Sequence, residues 1–315
     1  MPPLLLSLLL SACGPRPVAE PSLVVTQHTP SGPRVARVTL PDGATTPFTS
    51  LTAHHGALAT CTGGRVLAQQ QEGEGVRLVV LDAEGVHPTP LAGLRLRAPV
   101  CTAEGAIVVE AAVDGAGDLY RIDADALTRL TDVDGGSFEP DLAADGTLVY
   151  ASSRDGNPEI HVQATDGSPA RRLTHHPAED LRPRWSPDGH ALVFLTEREG
   201  PLRAWTMAAD GSGARPVLPD ATGEHLDAGW TPRGDVVLVV ADAQGQDVVI
   251  ADPSRRRPAR RLGGPDPDDD PQVSPDGRWL ARTRRGDTTV DVVLLELASG
   301  REVVVPGAWG ARWLR

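Results

Sequence analysis

The groups in this chain that could bind or react are carboxylates and guanidinium groups that recur at similar places along the sequence. Four acidic residues stand where connections lead into strand-like runs, and three arginines stand in turns: Glu139, Asp180, Asp227 and Asp269, with Arg154, Arg198 and Arg285. Charges of both signs on one surface suit a polar protein or glycan partner. We therefore predict a binding face made of these seven residues. The alternative, that they are repeat and solubility positions, stays open.

Sequence patterns for catalysis or cofactor binding are not found. The chain has no Gly-x-Ser-x-Gly turn, Gly-rich phosphate loop or Cys-x-x-Cys pair. The pairs His54-His55 and His175-His176 both follow Leu-Thr, so a repeat explains their spacing better than a metal site does. We expect no cofactor, no metal and no catalysis. An enzyme that uses carboxylates at a channel mouth, such as a glycan lyase or hydrolase, remains an alternative.

The charge balance excludes one class of partner. The net charge is −12, and every strong cation is an arginine. A nucleic-acid surface would need a basic stripe, which this composition does not supply. No stretch after residue 20 is long and apolar enough to span a bilayer.

One phrase recurs along the chain, read most clearly as Arg184 to Phe194 (RWSPDGHALVF) and again as Val273 to Leu280 (VSPDGRWL). The last glycines of the clear and degenerate copies stand about 41 to 45 residues apart, which is the length of a four-stranded propeller blade: Gly64, Gly105, Gly146, Gly189, Gly234 and Gly277. Apolar runs of strand length fill the intervals. Within the phrase, Pro presets a turn, Asp bonds its own backbone and Gly adopts a left-handed conformation, so Ser-Pro-Asp-Gly is a structural turn.

The residues around this turn also suggest a family. The order Trp185 to Gly189, an apolar strand, Arg198-Glu199-Gly200 and then Asp210-Gly211 resembles the propeller repeats of TolB and related periplasmic proteins. The resemblance is strongest over residues 134 to 280 and implies an all-β propeller. It says little about activity, because one fold supports many functions.

Blade counting starts from the two ends of the chain. Residues 21 to 51 predict three strands without an opening one, and Ala311 to Leu314 resembles the opening strand found at Pro183 to Ser186. We predict that this last strand completes the first blade and so removes the open edge of the ring. Six internal blades and this shared blade make seven. Six blades in total remain the alternative, since the TolB propeller resembles a six-bladed ring.

The N-terminus resembles the signal of a bacterial lipoprotein. An apolar run from Leu4 to Leu10 precedes Ser11-Ala12-Cys13-Gly14, which resembles a lipobox whose cysteine receives the lipid. The alternative is an ordinary cleaved signal peptide with an incidental cysteine. By the same resemblance, Gly14 after the cysteine favours the outer membrane.

The other two cysteines fall at nearly equivalent places in successive repeats. Outside the cytoplasm an even pair can form a disulfide, so Cys61 and Cys101 are candidates for one. The alternative is a pair of free thiols, because two neighbouring inner strands can hold the Cα atoms beyond the roughly 7 Å that a disulfide spans.

Together these observations predict a signal peptide over residues 1–12, a tether over 13–20 and a β-propeller over 21–315. We expect a monomeric, lipid-anchored, extracytoplasmic module on the periplasmic side of the outer membrane that binds envelope proteins. A propeller that binds solutes or glycans is the alternative of a different class.

Overall fold

The structure is an all-β ring of seven four-stranded antiparallel sheets. The computed structural model describes residues 20–48, 54–72, 75–92, 96–102, 104–112, 117–123, 126–264 and 266–314. Within these ranges the only helical segment is a single 3-10 turn, Thr62–Gly64. No helix among the described residues is long and apolar enough to cross a bilayer. The predicted fold class is confirmed.

The strands follow the repeat along the chain, four to a blade. Blade 1 holds β1 (Leu23–Gln27), β2 (Arg34–Thr39) and β3 (Ala44–Pro47) with the last strand, β28 (Ala308–Trp313); blade 2 holds β4 (His54–Thr60), β5 (Val66–Glu72), β6 (Gly75–Leu81) and β7 (Val86–Ala92); blade 3 holds β8 (Leu96–Cys101), β9 (Ile107–Ala112), β10 (Gly117–Asp123) and β11 (Ala126–Arg129). Blade 4 holds β12 (Ser137–Leu142), β13 (Leu148–Ser152), β14 (Glu159–Gln163) and β15 (Arg171–Arg172); blade 5 holds β16 (Asp180–Trp185), β17 (Ala191–Thr196), β18 (Arg203–Ala208) and β19 (Arg215–Pro216). Blade 6 holds β20 (Glu224–Trp230), β21 (Val236–Asp242), β22 (Gly245–Ala251) and β23 (Arg260–Leu262), and blade 7 holds β24 (Asp268–Val273), β25 (Trp279–Arg285), β26 (Val290–Glu296) and β27 (Glu302–Val305).

The ring closes within blade 1. The inner strand β28 pairs antiparallel with β1, with Leu23 opposite Trp313 and Val24 opposite Arg312. Both edges of β1 are thus hydrogen-bonded, and no open edge is left at the seam. Seven blades and the shared closing blade are confirmed, and the six-bladed alternative is wrong.

The recurrent Ser-Pro-Asp-Gly phrase is a hydrogen-bonded turn between the first and second strands of a blade. Ser186 Oγ donates to Asp188 Oδ1 over 2.6 Å, and the backbone N–H of Ala191 donates to Ser186 Oγ over 2.9 Å. Gly189 has a φ of 71° and no atom within 4 Å of a would-be Cβ, so the backbone conformation rather than space requires glycine. The structural interpretation of the phrase is confirmed.

Apolar side chains from neighbouring blades make the core. Between blades 5 and 6, Val193 and Leu195 pack against Leu238 and Val240, all nearly inaccessible to solvent. The closing seam is packed in the same way, with Trp279 in its cluster. Because each blade buries its faces only against its neighbours, every one of these interfaces holds the ring together.

Two faces of the ring are distinguished by their connections. The upper face carries the connections that lead into the inner strands and the turns between second and third strands. The lower face carries the turns between first and second strands and those between third and fourth strands. The inner strands line the central channel.

Candidate functional site at the upper mouth of the channel

The inner strands of four blades carry the same irregularity. In β8, β12, β16 and β24 one extra residue interrupts the pairing with the second strand. The extra residue precedes a proline and has a positive φ of 43° to 56°: Ala98, Glu139, Arg182 and Asp270. Such bulges re-aim a side chain, and a non-glycine residue keeps this conformation only where its surroundings enforce it.

The bulge residues of neighbouring blades contact each other around the channel. The Arg182 backbone N–H donates to Glu139 Oε2 over 2.8 Å, and its guanidinium lies 3.3 Å from Glu139 Oε1. The same guanidinium donates to the carbonyl oxygen of Leu226 in the next blade. One arginine therefore links three inner strands at the mouth of the channel.

A second charged pair lies on the other side of the channel. Arg312 Nη1 in β28 donates to Asp270 Oδ2 over 2.7 Å. Burial raises the pKa of Asp270, the charges of Asp227 and Asp269 add to the rise, and Arg312 opposes it. Three carboxylates thus lie close together on this side of the channel, and Arg312 is paired with the one at the bulge, Asp270.

Asp180 and Arg198, both predicted for the binding face, form a structural pair instead. Asp180 is the first residue of β16 and is fully buried, whereas the sequence analysis placed it in a connection. Arg198 Nη2 lies 2.8 Å from each of its carboxylate oxygens. The guanidinium also stacks 4.7 Å from the centre of the Trp205 ring. Asp180 is therefore inaccessible to a partner.

The other predicted face residues lie on the upper side of the ring. Glu139, Asp227 and Asp269 belong to inner strands rather than to connections. Asp269 Oδ2 lies 2.5 Å from Arg285 Nε, in an exposed pair. Arg154 is exposed in the turn between β13 and β14, as predicted. Their role in binding stays a prediction.

The densest acidic run of the sequence, Asp266 to Asp270, is neutralised by arginines. The last three of its residues begin β24 rather than forming a loop. Asp268 is buried and lies 3.2 Å from Arg282 Nε and 3.3 Å from Arg284 Nε. Even so, burial raises the pKa of Asp268 above its usual value. Among the described residues, no three His, Cys, Asp or Glu side chains are grouped as a metal site.

A cavity of about 400 Å³ opens between blades 3 and 4 on the upper face. Its wall is made of charged groups, glycines and one aromatic ring: Arg97, Ala98, Glu110, Gly117, Gly135, Gly136, Phe138, Glu139 and Arg184. A Cβ on Gly136 would lie 2.7 Å from the carbonyl oxygen of Gly117, so only glycine permits this close approach of the two blades.

The charged side chains that line the cavity include Glu110, Glu139 and Arg97. Glu110 Oε2 accepts a hydrogen bond from the Glu139 backbone N–H over 3.4 Å. Burial raises the pKa of Glu110, and the nearby Glu139 charge adds to the rise. Arg97 lies directly opposite Glu110 in the sheet, and its exposed side chain forms no ion pair or hydrogen bond with any described residue. Its positive charge nevertheless opposes the rise in the pKa of Glu110. The cavity therefore offers an exposed guanidinium group beside a carboxyl group whose pKa is raised by burial.

Sequence reasoning identified Glu139 but missed Arg97, Glu110, Arg182 and Asp270. A signal for two of them was present, because a proline follows the bulge residue in four copies: Pro99, Pro140, Pro183 and Pro271. Arg97 and Glu110 lie in a degenerate copy, where no sequence signal marks them.

Comparison of this sequence with models of known protein families agrees with the ring geometry. The family model described as TolB beta propeller domain matches residues 48–302. This chain belongs to the TolB β-propeller family.

Several relatives of this TolB-type propeller are known. A "Protein TolB homolog" of Chlorobium luteolum is 27% identical over 154 residues, covering 49% of this chain and 35% of that protein. "Tricorn protease homolog 1" of Streptomyces coelicolor is 36% identical over 114 residues, covering 35% of this chain and 9% of that protein. The chain thus spans about a third or less of these relatives. A crystal structure of puromycin hydrolase superposes with a TM-score of 0.70 at 18% identity, covering 92% of this chain and 52% of that one, which is a likeness of fold.

The two cysteines of this TolB-type propeller link blades 2 and 3. Cys61 and Cys101 are joined as a disulfide, with Cα atoms 5.4 Å apart. The two cysteines are not at equivalent positions of their repeats. In blade 2 the Cys61 backbone N–H donates to the Arg65 carbonyl across the turn, whereas in blade 3 the equivalent bond is donated by Thr102 to Ala106, so Cys101 lies one position earlier. Their oxidation in the cell stays a prediction. Cys13, the signal peptide and all of the tether except residue 20 lie outside the described residues.

A buried histidine makes the stability of the propeller depend on pH. His225 is fully buried, and its Nδ1 accepts a hydrogen bond from the Ala204 backbone N–H over 3.0 Å. Burial lowers its pKa to about 4, with Arg203 adding to the effect. Between pH 6.5 and 4 the unfolded chain binds the extra proton, so stability falls as the pH falls, by about 3 kcal/mol at most.

We therefore expect His225→Asn, which keeps an acceptor for Ala204, to flatten the acid loss in urea midpoints between pH 7 and 4.5. Some slope should remain, because burial also lowers the pKa of His161. The exposed His190→Asn should keep the full slope. An unchanged slope in His225→Asn would exclude this histidine as a source.

Proposed function

We propose that this TolB-type propeller is a non-catalytic binding module, lipid-anchored at Cys13 on the periplasmic side of the outer membrane. As a monomer it binds an envelope protein at the upper mouth of its channel. The observation that carries the proposal is the cavity between blades 3 and 4, where the exposed Arg97 side chain stands beside Glu110 and Glu139 and forms no ion pair or hydrogen bond with the described chain.

The chemistry of the cavity suits a segment of protein. Guanidinium groups bind backbone or side-chain carbonyl and carboxylate oxygens, and carboxylates accept peptide N–H groups. Phe138 adds an apolar contact. Backbone approach at Gly135 and Gly136 and the enforced bulge at Glu139 hold these groups in place before a partner arrives, which lowers the entropic cost of binding.

The peptidases among the relatives match this chain over only part of their length. We do not extend the peptidase activity of these relatives to this chain, and we propose no chemical step for it.

A photo-crosslinking experiment tests the proposal. Benzoylphenylalanine replaces Phe138 at the cavity, or Val304 on the outer strand of blade 7, where it is 50% exposed. After irradiation of intact cells, we expect an adduct with one protein for Phe138 and none for Val304. Arg97→Glu should abolish that adduct without lowering the amount of folded protein. An adduct that persists in Arg97→Glu would contradict the proposal.

The anchor has a separate test. We expect mass spectrometry of the N-terminal peptide to find a diacyl-glycerol group on Cys13, and Cys13→Ser to release the protein from the membrane fraction. An unmodified mature N-terminus other than Cys13 would contradict the anchor and leave the cavity proposal intact.

A glycan or solute ligand is the second candidate, favoured by the raised pKa of Glu110 beside the Glu139 carboxylate. Two neighbouring carboxyl groups can bind hydroxyl groups, and glycan-cleaving enzymes also use such a pair. A glycan that raises the melting temperature in the wild type, but not in Glu110→Gln, would favour binding. Turnover lost in the same variant would favour an enzyme.

A further inference from the structure

The turn between the third and fourth strands of blade 6 departs from the repeat. In blades 4 and 5 this turn contains Asp166-Gly167 and Asp210-Gly211. In blade 6 the connection runs from residue 252 to 259 and contains three consecutive arginines, Arg255 to Arg257. A turn alone does not need these arginines, so their presence on the lower face calls for another reason.

Contacts hold this loop in one conformation. Arg257 forms ion pairs with Asp235 and Asp252, which are the carboxylates of blade 6 on this face. Arg255 has a φ of 59°, and its Nη2 donates to the carbonyl oxygen of Pro216 in blade 5 over 2.6 Å. The loop therefore leans across the boundary between blades 5 and 6 and keeps Arg256 exposed.

Arginine side chains without an ion-pair partner collect around this loop. The exposed guanidinium groups of Arg215, Arg233 and Arg256 form no ion pair or hydrogen bond with any residue of the described chain. The carboxylates in the nearest turns of blade 5 form no ion pair with these arginines, since Asp188 accepts a hydrogen bond from Ser186 and Asp210 accepts one from the Ser212 backbone. In a chain of net charge −12, this is a local cluster of arginine side chains that can accept an anionic partner.

A cavity of about 300 Å³ with a mostly apolar wall lies between this loop and Arg215. Trp230, Met207 and Pro253 line it together with Arg215. The Trp230 indole N–H donates to the carbonyl oxygen of Arg184 over 3.0 Å, which fixes the ring in its place. An apolar cavity with a guanidinium group in its wall suits a molecule with one anionic and one apolar part.

The described chain also begins at this face. The Glu20 carboxylate lies 3.3 Å from Nη1 of Arg278, which belongs to a lower-face turn of blade 7. Strand β1 likewise begins at the lower face. If the lipid is on Cys13, which is part of the proposed function, the seven residues before Glu20 span at most about 25 Å. The lower face would then stay close to the membrane surface.

We propose that this lower-face basic surface, formed by Arg215, Arg233, Arg255 and Arg256 with the adjoining cavity, binds the headgroups of anionic phospholipids. Guanidinium groups bind the phosphate and glycerol oxygens of the headgroup. The cavity under Trp230 receives the adjacent apolar part, as tryptophan does at membrane interfaces. The surface orients the tethered ring so that the upper mouth of the channel faces away from the lipid.

Vesicle flotation tests this surface. The chain from residue 13 onward, carrying Cys13→Ser and so without lipid or signal peptide, is mixed with phosphatidylcholine vesicles made with or without phosphatidylglycerol. We expect binding only to the phosphatidylglycerol vesicles. Arg256→Glu should weaken it about tenfold, because reversal replaces an attraction by a repulsion. Arg215→Glu together with Arg256→Glu should reduce it to background.

Arg37→Glu is the matched control, since Arg37 is also exposed but lies on β2 of blade 1. It changes the net charge by the same amount and should leave flotation unchanged, and the melting temperature of each variant shows that the ring is folded. Equal binding to both vesicles, or equal loss in Arg37→Glu, would overturn the proposal. So would Arg256-dependent binding of an acidic peptide without any binding to vesicles.

Failure here is distinguishable from failure of the proposed function. The flotation protein carries no lipid, so its result does not depend on whether Cys13 is modified in cells. Inorganic phosphate at a concentration equal to that of the accessible phosphatidylglycerol separates the sources of phosphate. We expect it not to compete, and full competition would overturn the lipid assignment.

Discussion

Arg198→Met is expected to lower the free energy of unfolding by about 3 to 5 kcal/mol. The substitution keeps the apolar contact with the ring of Trp205 but leaves Asp180 buried without its counter-ion. A buried carboxylate without a partner either pays for its lost hydration or takes up a proton. Urea unfolding followed by tryptophan fluorescence measures the loss.

The matched control is Arg285→Met, which breaks the pair with Asp269. Arg285 is 56% exposed, and an exposed ion pair contributes at most about 1 kcal/mol. Adding Asp180→Leu to Arg198→Met should restore part of the lost stability, because the uncompensated charge is then removed. Equal effects of Arg198→Met and Arg285→Met would show that burial does not separate the two pairs.

Loss of the disulfide is the second large expected effect. Replacing Cys61 and Cys101 by alanine should cost about 4 kcal/mol, because the bridge closes a loop of 40 residues in the unfolded chain. In the wild type, a reductant should shift the urea midpoint downward by a comparable amount. In the double variant it should shift nothing.

Thiol labelling completes this experiment. Protein recovered from cells without reduction should leave both cysteines unlabelled after unfolding. Labelling of both would mean that the thiols are free, and the reductant would then leave the wild-type midpoint unchanged.

The fold could be predicted because the turn and strand residues of each repeat determine its local structure without help from distant parts of the chain. The turn at Ser186 to Gly189 needs only neighbouring residues to form, and the strand after it is a continuous apolar run of the length expected for a buried strand. Closure of the ring was predictable as well, because the segment at Trp313 keeps the pattern of an inner strand and residues 21 to 51 supply only three strands of a blade.

The charged face was predicted less well, for a physical reason. Sequence alignment of the repeats treated Asp180 and Asp269 as equivalent, but the residue equivalent to Asp180 in blade 7 is Asp268. One-residue shifts matter in a strand because they move a side chain to the opposite face. The bulge then adds a residue inside the same strand, so buried positions lie three residues apart instead of alternating.

The upper cavity lay beyond sequence reasoning because it depends on distant parts of the chain. Its walls combine Arg97 and Glu110 of blade 3 with Gly136 and Glu139 of blade 4 and Arg184 of blade 5. Only the ring geometry brings these residues together, and no local pattern records how closely two blades approach.

The closing seam has a consequence for protein engineering. The Leu314 backbone N–H donates to the carbonyl oxygen of Ser22 over 2.8 Å, so the two ends of the described ring are adjacent. A short peptide could join them, and new termini could be opened at any exposed turn. Such circular permutants would let a fluorophore or a second domain be carried by whichever blade an experiment needs, while every blade keeps its four strands.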